Sequence, residues 1–199
     1  EYSPSKSFPS SSAADGKKQI IRADSKFTGT VEVESGTLII KSTQTLGKLT
    51  MTGGAFGGID GGVSVSGAEW FAGDLIFYNK ETLNSGDTDM IKIDGAFVKS
   101  GDGKIGVDFD GFDPTVFIED GTMLDLISAS EEEREGFSAD ANDDFYAKNL
   151  TNGFANFEWN GDILTVSFSN VPEPATVAAI LGGLAFAGAL FRRRKSRQD

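Results

Sequence analysis

Asp108, Asp110 and Asp113 stand within six residues in the stretch GVDFDGFDP. Hard oxygen donors at that density suit Ca²⁺, and Gly111 permits the sharp turn such a loop needs. The spacing does not fit an EF-hand loop, which has glycine at its sixth position and a bidentate Glu at its twelfth. On an extended strand Asp108 and Asp110 share one face, so a solvated acidic face is expected and no metal ligands are assigned. Paired carboxylates can hydrolyse glycosides without histidine, yet 30 Asp and Glu leave no pair standing out. Trp70, Phe71, Phe77 and Trp159 would stack on sugar rings if they lined one exposed face. With 16 Phe and 25 Gly in 199 residues, they are better read as the filling of a glycine-rich scaffold. Asn149-Leu150-Thr151 matches an N-glycosylation acceptor and is read as incidental.

The chain has no His and no Cys. That removes thiol nucleophiles, Ser–His and Cys–His pairs and every zinc site built on those ligands. Catalytic residues and cofactors are accordingly assigned as none, and the protein is expected not to be an enzyme. Net charge is −12, but residues 192–199 hold five Lys/Arg against one acid, which leaves −16 on the rest. An acidic body repels phosphate backbones, so a nucleic-acid partner is excluded.

The elements that would carry these residues are short. EYSPSKSFPSSSAADGKK has no apolar period and reads as an arm over residues 1–18. From Gln19, the runs QIIRA, FTGTVEVESGTLIIKS, KLTMTGG, GVSVSG, DLIFY, MIKIDGAFV, GKIGVDFDG and TVFIEDGTMLDLISA are β-type, several with period-two alternation, and are broken by glycine turns. Their centres near residues 39, 50, 64, 76, 92 and 107 suit a β-solenoid or a β-meander, at a spacing too irregular to name a repeat. SEEEREGF has the composition for one or two helical turns or a solvated loop. FANFEWNGDILTVSFSN reads as a hairpin turning on Asn160-Gly161 as a type I′ pair. The fold class is all-β: a β-solenoid, β-helix-like or β-sandwich body over 19–169.

Residues 170–199 differ from everything before them. Pro172 and Pro174 cannot sit inside a helix or a central strand, which predicts an extended hinge. Ala175 to Phe191 carries no charge, and as a helix these 17 residues span about 25 Å, the short end of a bilayer crossing. Ala175, Ile180, Leu181, Leu184, Phe186, Leu190 and Phe191 mark this single C-terminal transmembrane helix. Arg192, Arg193, Arg194 and Lys195 follow as a stop cluster that stays cytoplasmic, placing the acidic body outside.

Pro-Glu-Pro, a short apolar span and a terminal Arg cluster together resemble the PEP-CTERM sorting signal of exported bacterial proteins. The resemblance implies recognition of Pro172, Glu173 and Pro174 by an exosortase, a membrane-embedded cysteine transpeptidase-like enzyme, with processing near that motif. It also implies transient residence in the inner membrane, with delivery to the cell surface or extracellular matrix and an exopolysaccharide matrix as a further partner. FTGTVEVESGTLIIKS, Phe27 to Ser42, is similar to the strand repeat of autotransporter passengers, one turn of a right-handed β-helix. The membrane barrel an autotransporter needs has no counterpart in a tail with one span. A chain beginning at Glu1 is expected to be a processed form or the C-terminal portion of a longer precursor. The expectation is an exported structural protein of the surface or matrix; the alternative is a secreted carbohydrate-binding or carbohydrate-degrading module with the same tail.

Overall fold

A computed structural model describes residues 18–22, 29–41, 45–59, 62–77 and 90–170. The chain separates into two units, residues 1–169 and 170–199, and the described elements belong to the first. They are all-β in character. In chain order the strands are β1 (Lys18–Arg22), β2 (Val31–Val33), β3 (Thr37–Lys41), β4 (Leu49–Gly58), β5 (Val63–Val65), β6 (Ala68–Ile76) and β7 (Ile91–Ile93). There follow β8 (Phe97–Lys99), β9 (Ile105–Asp108), β10 (Leu124–Ala129), β11 (Arg134–Glu135), β12 (Phe145–Lys148), β13 (Phe154–Asn160) and β14 (Ile163–Ser169). Two short helices, α1 (Thr115–Asp120) and α2 (Ala141–Asp144), and a 3-10 turn, Glu131–Glu133, lie between strands.

Through β12, pairing is parallel and falls into three rows. In the first, Val31 sits opposite Leu49, Leu49 opposite Ala68, Ala68 opposite Phe97, and Phe97 opposite Arg134. In the second, Thr37, Ala55, Asp74, Gly106 and Tyr146 are successive neighbours. In the third, Leu46, Val65, Ile93 and Ala129 are neighbours. The chain visits the rows in repeating order, advancing 18 residues from Val31 to Leu49 and 19 from Leu49 to Ala68. The advance grows to 29 from Ala68 to Phe97 and 37 from Phe97 to Arg134 as connections lengthen.

Parallel strands need crossover connections, and here the next strand of each circuit supplies them. Period-two alternation does the rest: β2, β5 and β7 each bury their first and third residues. In the second row Leu38, Phe56, Leu75, Val107 and Ala147 stack one above another. Phe56, Leu75 and Val107 are fully buried there and belong to one continuous core.

β4 and β6 each serve two rows, and glycine makes the corner. Gly73 takes φ +106, and a Cβ there would lie 2.7 Å from the carbonyl oxygen of Gly53. Only a residue without a side chain fits the successive corners this closely.

Beyond β12 the pairing turns antiparallel, with β14 beside β10 and β13 beside β14. The hairpin lays its apolar face over the end of the core. Phe145 lies 6.0 Å from Phe157 and 6.2 Å from Trp159, and Phe168 lies 5.7 Å from Phe109. Much of the phenylalanine excess is used here, where circuits stop and a parallel stack needs a cap.

Several local expectations need correction. Lys18, assigned to the arm, opens β1. The hairpin turn is centred on Gly161 and Asp162, one residue later than predicted, because Asn160 still pairs with Ile163. Gly161 has φ +59 while Asp162 stays negative, the sign pattern of a Gly-first II′ turn. Asp108 and Asp110 do not share a strand face: β9 ends at Asp108, and Asp110 enters a turn with φ +51. SEEEREGF makes a single 3-10 turn, after which Arg134–Glu135 pairs with β8. The assigned transmembrane helix lies outside the described residues, among which no helix is long and apolar enough to cross a membrane.

Candidate functional site

Stacking brings distant residues together on the outer face of the second row. Asp74 and Tyr146 flank Gly106, the position between them. A Cβ on Gly106 would fall 2.1 Å from Asp74 Oδ1 and 2.8 Å from Lys148 Cδ. The missing side chain therefore leaves the path along which Lys148 Nζ donates to Asp74 Oδ2 at 2.5 Å. That hydrogen bond is the main reason the Lys148 ammonium is held above its ordinary pKa.

Next to the pair is a shallow cleft of about 160 Å³ lined by Phe71, Asp74, Lys99, Lys104 and Tyr146, with glycines 73, 101 and 103 in its walls. Phe71 and Tyr146 are 44% and 42% exposed. Lys99 turns inward, 3.2 Å from Asp144, whose carboxylate is almost wholly enclosed and also accepts from the Ser138 N–H and hydroxyl. Lys104 Nζ donates to the backbone carbonyl of Asn142 at 2.5 Å.

Of the four aromatic residues considered for sugar stacking, only Phe71 is presented to solvent. Trp70 and Phe77 are core residues. Trp159 is covered by Arg134, whose guanidinium carbon stands 3.9 Å from the ring centre. Asp74 is the one carboxylate lining the cleft among the described residues, and Lys148 engages it.

The acidic loop does not converge on a cation site either. Asp108 accepts from the Asp110 N–H and the Asn149 amide, both at 2.8 Å. Asp113 accepts from the Thr115 hydroxyl at 2.5 Å, the Thr115 N–H at 3.1 Å and the Asn152 amide at 2.8 Å. Those donors, the hydroxyl foremost, hold the Asp113 carboxyl below its usual range. No group of three or more acidic, His or Cys side chains able to hold a metal occurs among the described residues. These Asp residues close turns, and the Asn149 of the glycosylation-like triplet is one of their donors.

Sequence reasoning singled out none of Asp74, Lys99, Lys148 and Tyr146. Asp74 and Lys148 are 74 positions apart, and only the register of three strands makes them neighbours. The assigned sorting residues Pro172, Glu173 and Pro174, the anchor residues Ala175 to Phe191, and the stop cluster Arg192 to Lys195 all lie outside the described residues.

Comparison with known proteins bears on that tail. The family of the PEP-CTERM protein-sorting motif matches residues 170–195. No curated protein and no solved structure matches the chain.

Proposed function

The chain carries a PEP-CTERM protein-sorting motif, and from that premise we propose that it is an exported bacterial protein whose body serves an architectural role at the cell surface or in the matrix. The motif implies export and processing by an exosortase. The observation that carries the reading is the match over residues 170–195, which holds Pro172-Glu173-Pro174, an uncharged stretch and the Arg cluster in that order.

In this reading the tail holds the precursor in the inner membrane, N-terminus outside, until cleavage near Pro172 to Pro174 releases the body. The body is a short parallel β-solenoid. Its three rows and its repeating circuit of 18 to 19 residues in the early turns support that description, and the β13–β14 hairpin is its cap. A non-enzymatic role fits Asp74, Asp108, Asp113 and Asp144, whose carboxylates are engaged in closing turns and joining circuits.

Fusing residues 170–199 to a reporter that already has an export signal tests the premise. The expected result is a reporter at the inner membrane with its folded part outside; a reporter released freely to the periplasm or medium, in a host lacking the processing enzyme, contradicts it. Carbohydrate binding, the second reading, is favoured by one observation, the exposed rings of Phe71 and Tyr146 beside the cleft. Retention on a polysaccharide column that is lost in F71A/Y146A would support it.

A further inference from the structure

β13 is the last strand of its sheet and pairs, among the described residues, with β14 alone. Its other edge is met by a side chain. The Phe157 N–H donates to Asn142 Oδ1 at 2.9 Å, and the Phe157 carbonyl accepts from Asn142 Nδ2 at 3.1 Å. A carboxamide carries one acceptor and donors in nearly the arrangement of a peptide group. Asn142 thus makes, at the centre of a seven-residue strand, the N–H and C=O pair that a neighbouring strand would make.

The stand-in is held from several directions. Asp140 Oδ1 accepts both the Asn142 backbone N–H and its Nδ2 at 2.9 Å. Nδ2 also reaches Asn156 Oδ1 at 3.0 Å, and Lys104 Nζ holds the Asn142 carbonyl. Asn142 is the second residue of helix α2, so the same contacts pin α2 against β13. An uncovered edge of this length is a template for strand addition.

We propose that the Asn142 carboxamide closes the edge of β13, and that the partner it excludes is β13 of a second copy of this chain. Phe157 is the middle residue of β13. Two antiparallel copies centred on it would exchange both Phe157 hydrogen bonds with each other. That register sets Glu158 opposite Asn156 and Phe154 opposite Asn160, with no like charges facing. The strand is self-complementary once Asn142 and α2 swing away.

The test uses the 199-residue chain in mild detergent, with oligomeric state read by analytical ultracentrifugation and opening by hydrogen exchange of the peptide holding Phe157. The parent is expected to be monomeric at this edge. N142A should exchange at Phe157 at least tenfold faster and form dimers, and N142D, which turns a carboxylate oxygen toward Asp140 Oδ1 and the Phe157 carbonyl, should open the edge at least as far. Adding N156E to N142A sets like charges face to face with Glu158 of the other copy and should restore the monomer while exchange stays fast. The proposal is overturned if N142A, or N142D should N142A not fold, stays monomeric with exchange within twofold of the parent. It is overturned equally by a parent that already dimerises through β13, or by an N142A/N156E chain that dimerises as readily as N142A.

Discussion

Truncating Phe145 to Ala tests whether the hairpin caps the core. Phe145 is 1% exposed and sits on β12, the last strand of the second row. Its ring lies 6.0 Å from that of Phe137, nearly parallel, 6.0 Å from Phe157 and 6.2 Å from Trp159. Removing a buried Phe ring costs about 3 to 5 kcal/mol, more where the site cannot collapse. Here it cannot easily do so, because β12 is fixed in register to β9 and the facing rings come from the hairpin and the loop before α2. Each ring pair adds about 0.5 to 1.5 kcal/mol beyond its area, so the upper half of the truncation range, about 4 to 5 kcal/mol, is expected. A domain of ordinary stability, about 5 to 15 kcal/mol, would lose a large fraction of it. Urea unfolding followed by far-ultraviolet circular dichroism should show a lower midpoint at unchanged slope. The exposed Phe71→Ala should change stability by less than about 0.5 kcal/mol. A loss below about 1 kcal/mol for Phe145→Ala would mean that these rings do not form a cap, and the reasoning would fail.

Two glycines should separate by mechanism. Gly73→Ala should cost about 2 kcal/mol or more, because its φ of +106 strains a side chain and its Cβ meets backbone oxygens; Gly106→Ala meets side chains rather than backbone, those of the partly exposed Asp74–Lys148 pair, and should cost less than Gly73→Ala, both read by urea unfolding. Asp144→Ala leaves the Lys99 ammonium enclosed without its partner and should cost about 3 kcal/mol, with partial recovery in the Lys99→Met double variant. Asp113 titrates below its ordinary value in the folded chain, so its contribution is full above the unfolded pKa of about 3.9 and is lost as pH falls through the lower folded value. Carbon-13 titration of that carboxyl should show the depression, and Thr115→Val, which removes its largest cause, should bring the pKa back up.

Strands with clean alternation were legible from sequence. Val31/Val33, Val63/Val65 and Ile91/Ile93 announce buried pairs, and the expected centres at 39, 50, 64, 76, 92 and 107 all fall within strands. Corners were harder to see. LTMTGGAFGG is one strand by pairing, yet Gly53 and Gly54 carry it from the first row to the second. MIKIDGAFV reads as one run, whereas its Asp94-Gly95 turn separates β7 of the third row from β8 of the first. The cadence is irregular because residues 77–90 and 109–123 lengthen circuits whose neighbours are short. Side-chain meetings were not legible at all, since Asp74 with Lys148 and Asn142 with Phe157 depend on stacking register and on a polar loop with no periodic signal. The tail was legible because its meaning lies in order and composition: prolines, then an uncharged stretch, then arginines.

The central claim is that residues 170–199 direct export and are processed. The direct measurement is intact mass and cell fraction of the protein in a host with an active exosortase, for the parent and for P172A/E173A/P174A. The account predicts a released parent that has lost its apolar stretch and Arg cluster, and a full-length variant retained in the membrane. A parent that keeps Ala175 to Asp199 after release, or a triple variant processed like the parent, would contradict it.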